Sequence, residues 1–102
     1  MKRAVGFIIV GSILAVAASG YAIAGDSEAG KAKAVTCTAC HGANGISPTE
    51  LYPNLAGQKK GYLVKQIKAF KDGSRKDPTM NAMVAALTDQ DIEDISAFYS
   101  KL

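Results

Sequence analysis

The chain has 102 residues, 48% of them hydrophobic and 21% charged, with a formal net charge of +3 and a pI near 8.9. That length allows one domain at most. Part of the charge sits on Lys2 and Arg3; without them the 12 basic residues fall to ten against nine acidic ones, a net +1. So balanced a charge excludes nucleic acid as a partner.

Residues 1–24 read as an export signal rather than as part of the fold. Lys2 and Arg3 are its basic start. Val5 to Ala18 is an almost unbroken apolar run, and Ala22-Ile23-Ala24 is an A-x-A cleavage pattern. Cleavage leaves 25–102 as the domain. The alternative is an uncleaved anchor, because residues 4–24 carry no charge and number 21, about enough to span a bilayer. The small-residue ending favours cleavage. Either way the domain is expected outside the cytoplasm, in the periplasm, held near the membrane if the segment stays. The 78 residues that remain are few for a self-sufficient core.

From Ser27 to Cys40 the residues favour helix, with Ser27 or Asp26 as the cap. Ala29, Ala32 and Val35 or Thr36 fall at helical spacing. Gly30 is costly in mid-helix; it marks either a close crossing by another helix or a tolerated surface position. Gly42 to Gln58 is rich in Gly, Pro, Asn and Ser and reads as a loop. Its apolar residues, Leu51, Tyr52 and Leu55, are expected to lie against a buried body. Gly61 to Phe70 reads as the second long helix, with Leu63, Val64, Ile67 and Phe70 on one face and Gly73 as its stop. Asp72 to Thr79 is polar and turn-rich, and Pro78 suggests an extended approach to Met80. The last helix starts at Thr88, with Asp91 completing a capping box. Ile92, Ile95, Phe98 or Tyr99, and Leu102 form its expected buried stripe. Alternating strand patterns and internal repeats are absent, so the class is all-α.

Cys37-Thr38-Ala39-Cys40-His41 reads C-x-x-C-H, the attachment signature for c-type haem. The spacing suits the chemistry. Two thiols one helical turn apart can add across the two vinyl groups of one porphyrin, and the following histidine is carried under the iron. A redox disulfide motif would open a helix in a βαβ setting, which this chain lacks. A closed zinc site needs about four Cys or His ligands, whereas Cys37, Cys40 and His41 are the only ones present. Haem would consume both cysteines and give a short chain a large apolar body to pack around, with the loop anchors Leu51, Tyr52 and Leu55 laid against it. His41 is the only imidazole, so the second axial position falls to another residue type or stays open. Outside the signal, Met80 and Met83 are the candidates. A thioether suits haem iron and raises its potential relative to a second histidine. Both would lie on one helical face; Pro78 favours Met80, with Met83 as packing.

The pattern resembles the class I c-type cytochromes, most of all the small bacterial monohaem type and single halves of dihaem periplasmic cytochromes. The similar stretches are Gly25-Asp26, Ala29-Gly30-Lys31, Cys37 to Gly42, Tyr52 to Gln58, Tyr62-Leu63, Lys65-Gln66, Ala69-Phe70, Gly73 with Arg75, Met80 and Met83, Leu87-Thr88, and Asp91-Ile92 through Tyr99. They cover nearly all of 25–102. The resemblance implies a small cytochrome c fold of three to four helices around one covalently attached haem. It implies Cys37 and Cys40 as attachment points and His41 and Met80 as axial ligands, Met80 lying seven residues before Leu87. It further implies that the Pro53 carbonyl accepts the His41 ring N–H. Gly30 matches the small residue at the crossing of first and last helices, with Phe98 or Tyr99 as aromatic partner. Arg75 would pair with a haem propionate.

Iron held on both sides has no open position, so the expected role is that of a monohaem, periplasmic one-electron carrier rather than an enzyme. Its partners would be redox proteins, whether oxidase, reductase or dehydrogenase, with no small-molecule substrate. Lys59, Lys60, Lys65, Lys68 and Lys71 either guide an acidic partner or are simply solvated faces. The rival is a haem-based gas sensor or peroxidase-like enzyme with a labile sixth ligand. A disulfide module is the third reading.

Overall fold

The computed structural model describes residues 4–6, 8, 11 and 24–102. Most of the expected export signal, including Lys2, Arg3 and the Ala22-Ile23 pair, lies outside these residues. Among the described residues no helix is long and apolar enough to cross a membrane.

The domain is all-α, with no strand among the described residues. Helix α1 (Ser27–Lys33) passes through a tight 3-10 turn (Ala34–Cys37) into the single turn α2 (Thr38–His41). Then come α3 (Lys60–Asp72), α4 (Pro78–Val84) and α5 (Asp89–Ser100). Counting the continuous stretch 27–41 once gives four helical segments. The Asp26 carboxylate caps α1, accepting from the Glu28 and Ala29 N–H groups at 3.0 and 3.2 Å. The expected capping box opens α5: Thr88 Oγ1 accepts from the Asp91 N–H at 3.1 Å, and Asp91 Oδ2 from the Thr88 N–H at 2.9 Å. Gly73 ends α3 in the left-handed region at φ 81°.

Helices α1 and α3 both pack on α5. The core joins Ala34, Leu63, Ile95 and Tyr99, with Cys37, Leu55, Ile67, Leu87 and Phe98 half-buried against it. At Gly30 the α1 backbone touches the backbone of α5. A Cβ there would run into the Asp94 carbonyl and the Ile95 nitrogen, so the close-crossing reading of this glycine holds. The contact falls one turn before the expected aromatic partners Phe98 and Tyr99.

Polar groups clamp the same crossing. Asp94 is buried and accepts from the Asp26 N–H at 2.8 Å, Gln90 Nε2 at 2.7 Å and Lys33 Nζ at 2.7 Å. Lys33 also reaches Asp91 Oδ1 at 2.8 Å. The Lys33 ammonium and the Asp26 amide hold the Asp94 carboxyl down at about 2. The two carboxylates in turn raise Lys33.

Several expectations change. Val35 is 66% exposed; the face turned to the protein is formed by Gly30, Ala34 and Cys37 instead. Leu102 is 48% exposed; it lies past the end of α5 and off the stripe. Of the loop anchors, Leu55 packs on the core, Tyr52 on the His41 ring, and Leu51 is 83% exposed. Pro78 is not part of an extended approach. It occupies the first turn of α4, where its missing N–H costs nothing, and the Asp77 carboxylate caps that helix.

Candidate haem site

The end of α2 sets up the proximal side. Gly42 follows His41 at φ 85°, and a Cβ on it would collide with the Ile46 carbonyl. Glycine therefore lets the chain fold back sharply under His41. The return strand of the loop brings Pro53 to the imidazole, with His41 Nδ1 2.8 Å from the Pro53 carbonyl. A carbonyl only accepts, so Nδ1 carries the proton and Nε2 keeps a free lone pair. His41 is 6% exposed, and Tyr52 packs edge-on to its ring at 6.3 Å between centroids. The loop is braced behind this contact: Asn54 Oδ1 accepts from the Ser47 N–H at 2.7 Å, and Gly45 O accepts from the Leu55 N–H at 2.8 Å.

Cys37 ends the 3-10 turn and Cys40 lies within α2, one turn apart, both half-buried as free thiols. Burial pushes the Cys37 thiol up, against the opposing influence of the neighbouring Thr36 and Tyr99 side chains. The Tyr99 hydroxyl is buried with no well-formed hydrogen bond; burial and then the nearby Cys37 thiol push its titration up.

The donor set fits a haem. Two soft thiols are spaced one turn apart, and the adjacent imidazole has its tautomer settled by Pro53. The core apolar residues supply a dry flank around Cys37. Met80 is half-buried in α4, and its N–H donates to the Asp77 cap at 3.0 Å. Met83 stands one turn on and is 45% exposed. Arg75 is exposed; its guanidinium donates to Gln66 Oε1 at 2.8 Å and lies 4.4 Å over the Phe70 ring.

Sequence reasoning passed over Asn81. Its side chain makes hydrogen bonds to Phe70, Arg75 and Asp77. The available signal was the residue type: asparagine is a poor helix-interior residue and favours bonds to backbone groups. The Tyr52 edge contact and the Lys33–Asp91–Asp94 cluster had no comparable signal.

Comparison with known proteins agrees with this geometry. The profile of the Cytochrome c family matches residues 27–102. Cytochrome c4 of Pseudomonas aeruginosa is 45% identical over 94 residues, covering 91% of this chain and 47% of the relative. Cytochrome c-554(548) of Halomonas halodenitrificans is 49% identical over 80 residues, covering 76% of this chain and 96% of the relative. The crystal structure of reduced cytochrome c4 from Pseudomonas stutzeri superposes with a TM-score of 0.72 at 46% identity, over 76% of this chain and 45% of that one. The chain thus spans about half the length of the cytochrome c4 relatives it matches. A C-x-x-C-H turn with its imidazole braced by a proline carbonyl, in an all-α domain that superposes on cytochrome c4, places the chain in the cytochrome c family, whose cofactor is covalently attached haem c.

Proposed function

We propose that this domain is a one-electron carrier, with the haem attached through Cys37 and Cys40 and its iron held between His41 and Met80. The observation that carries the reading is the His41–Pro53 hydrogen bond at 2.8 Å. It commits the imidazole to one tautomer and one orientation before any ligand is considered, as a permanent axial ligand requires. The haem supplies the redox couple. The chain does the rest. His41 keeps Nε2 available, and its near-complete burial excludes water. The cysteines fix the ring by two bonds, so the cofactor does not exchange. Met80, a soft donor on the separate helix α4, closes the other side.

The supporting facts all favour electron transfer over chemistry on a substrate. The chain has no second histidine to act as an acid or base on a bound ligand. Electrons would pass to and from redox proteins such as an oxidase, reductase or dehydrogenase. Lys59, Lys65 and Lys68 are exposed, whereas Lys60 pairs with Glu93 at 2.7 Å and Lys71 donates to the Leu87 carbonyl. The basic start and apolar run of residues 1–24 support export to the periplasm, with 25–102 as the working domain.

Protein-film voltammetry of the haem-loaded domain tests the reading. A reversible one-electron wave, unchanged in position under carbon monoxide, is the expected result. A wave displaced by the gas would replace the carrier with a sensor or peroxidase-like protein.

A further inference from the structure

We infer that Asn81 is the positioning residue for the distal ligand: its side chain pins the short helix α4 to the end of α3 and so holds Met80 in place. This rests on the reading of Met80 as the iron's sixth ligand. Helix α4 has seven residues, too few to be stable alone. Its buried apolar contact is confined to Val84, and the Met80 neighbours Pro78 and Thr79 are exposed. Some other interaction must fix the helix.

Asn81 supplies it from the position next to Met80. Its Nδ2 donates to the Phe70 carbonyl at 2.7 Å and to the Arg75 carbonyl at 2.9 Å. Its Oδ1 accepts from the Asp77 N–H at 3.0 Å. The Phe70 carbonyl is in the last turn of α3, where the helix leaves carbonyls without intrahelical partners. The Arg75 carbonyl belongs to the connecting turn, and the Asp77 N–H to the cap of α4. One amide therefore joins three consecutive pieces of backbone. Its donors and acceptor are both used, which fixes the direction of the side chain. The Asp77 carboxylate, which caps the Met80 N–H at 3.0 Å, is held by the same tie. Loss of the amide leaves two carbonyls and one N–H without their protein partners at the base of the helix that carries the ligand, the Phe70 carbonyl being the part-buried one. A weakened tie makes the thioether leave the iron more often.

The test uses the full haem-loaded protein as wild type, Asn81→Ala, Asn81→Asp, Lys33→Met and Met80→Ala. Asn81→Asp is isosteric and keeps the acceptor but puts one oxygen, repelled by both carbonyls, in place of the donating Nδ2, so it reports even if Asn81→Ala does not fold. Lys33→Met removes the ammonium bonds to Asp91 and Asp94 at the α1–α5 crossing and controls for general destabilisation. The readouts are the thioether-to-iron charge-transfer band of the oxidised protein and the carbon monoxide binding rate of the reduced one. Loss of two or three hydrogen bonds predicts a rise of about ten- to a hundred-fold in the open fraction. Both Asn81 variants should thus bind the gas faster by that factor with a weaker band, while Lys33→Met matches wild type. Asn81 variants that match Lys33→Met, alongside a Met80→Ala variant that opens the iron, would overturn the role of Asn81 and leave the ligand intact. A Met80→Ala variant that keeps the wild-type band and inertness would instead remove the ligand reading on which the role rests.

Discussion

Replacing Gly30 by alanine separates local propensity from tertiary contact, because the two predict opposite signs. Alanine in a helix interior is favoured over glycine by about 1 kcal/mol, so propensity alone predicts stabilisation. At Gly30 the new methyl would overlap the Asp94 carbonyl and press on the Ile95 nitrogen. These are backbone atoms of a helix and cannot rotate away. Relief requires α1 to move off α5, which stretches the Asp26 and Lys33 bonds to Asp94 and loosens Ala34 in the core. Overpacking of this kind costs about 3 kcal/mol or more where backbone is struck. The net expectation is a loss of about 2 kcal/mol. With a slope of about 1 kcal/mol/M for a domain this small, the urea midpoint should fall by about 2 M. Gly61→Ala is the internal control. It lies in α3, where an added Cβ meets nothing within 4 Å, and the same change should stabilise by about 0.5 kcal/mol. Urea titrations of the two haem-loaded variants, followed by far-UV circular dichroism, decide the matter. A Gly30→Ala midpoint that moves upward with that of Gly61→Ala would refute the backbone contact between α1 and α5.

Two further outcomes follow from the polar contacts. Thr88→Ala removes the side-chain half of the α5 capping box, the Oγ1 that accepts from the Asp91 N–H, and should lower stability by about 1 kcal/mol, read as a fall in the urea midpoint; an unchanged midpoint would mean that bond contributes nothing. The Asp94 carboxyl is held at about 2 in the fold against an ordinary 3.8, so its contribution is present above 3.8 and lost as pH falls from there towards 2. Acid titration should show stability declining in that window, and Lys33→Met should flatten the decline; a slope equal in both proteins would remove Lys33 as its cause.

Much of the domain was legible before any coordinates, and the residues show why. Thr88 and Asp91 act within four residues of each other, so their capping box is a local fact readable from spacing. The same holds for Gly73 after α3 and for the thiol spacing of Cys37 and Cys40. Readings failed where the outcome depended on distant backbone. Ala29, Ala32 and Val35 fall at helical spacing, and so do Gly30, Ala34 and Cys37; which set turns inward is decided by the contact with α5. Pro78 carries the same fixed φ in an extended segment as in a first helical turn, so its sequence neighbours alone did not separate the two. Leu51 and Leu55 are alike in type; the Gly45 carbonyl, which accepts from the Leu55 and Ala56 N–H groups, turns only the second inward. The Lys33–Asp91–Asp94 cluster joins residues far apart in sequence and has no local pattern; the Asn81 tie is closer in sequence, but only the residue type signals it.

The electron-carrier reading requires an iron closed on both sides by His41 and Met80. The most direct test is the visible spectrum of the reduced, haem-loaded protein before and after carbon monoxide, for wild type, Met80→Ala and Met83→Ala. The expected result is a low-spin spectrum that the gas leaves unchanged in wild type and in Met83→Ala, and that shifts in Met80→Ala. A wild-type spectrum that shifts on addition of the gas would contradict it, and so would a shift in Met83→Ala with Met80→Ala unmoved.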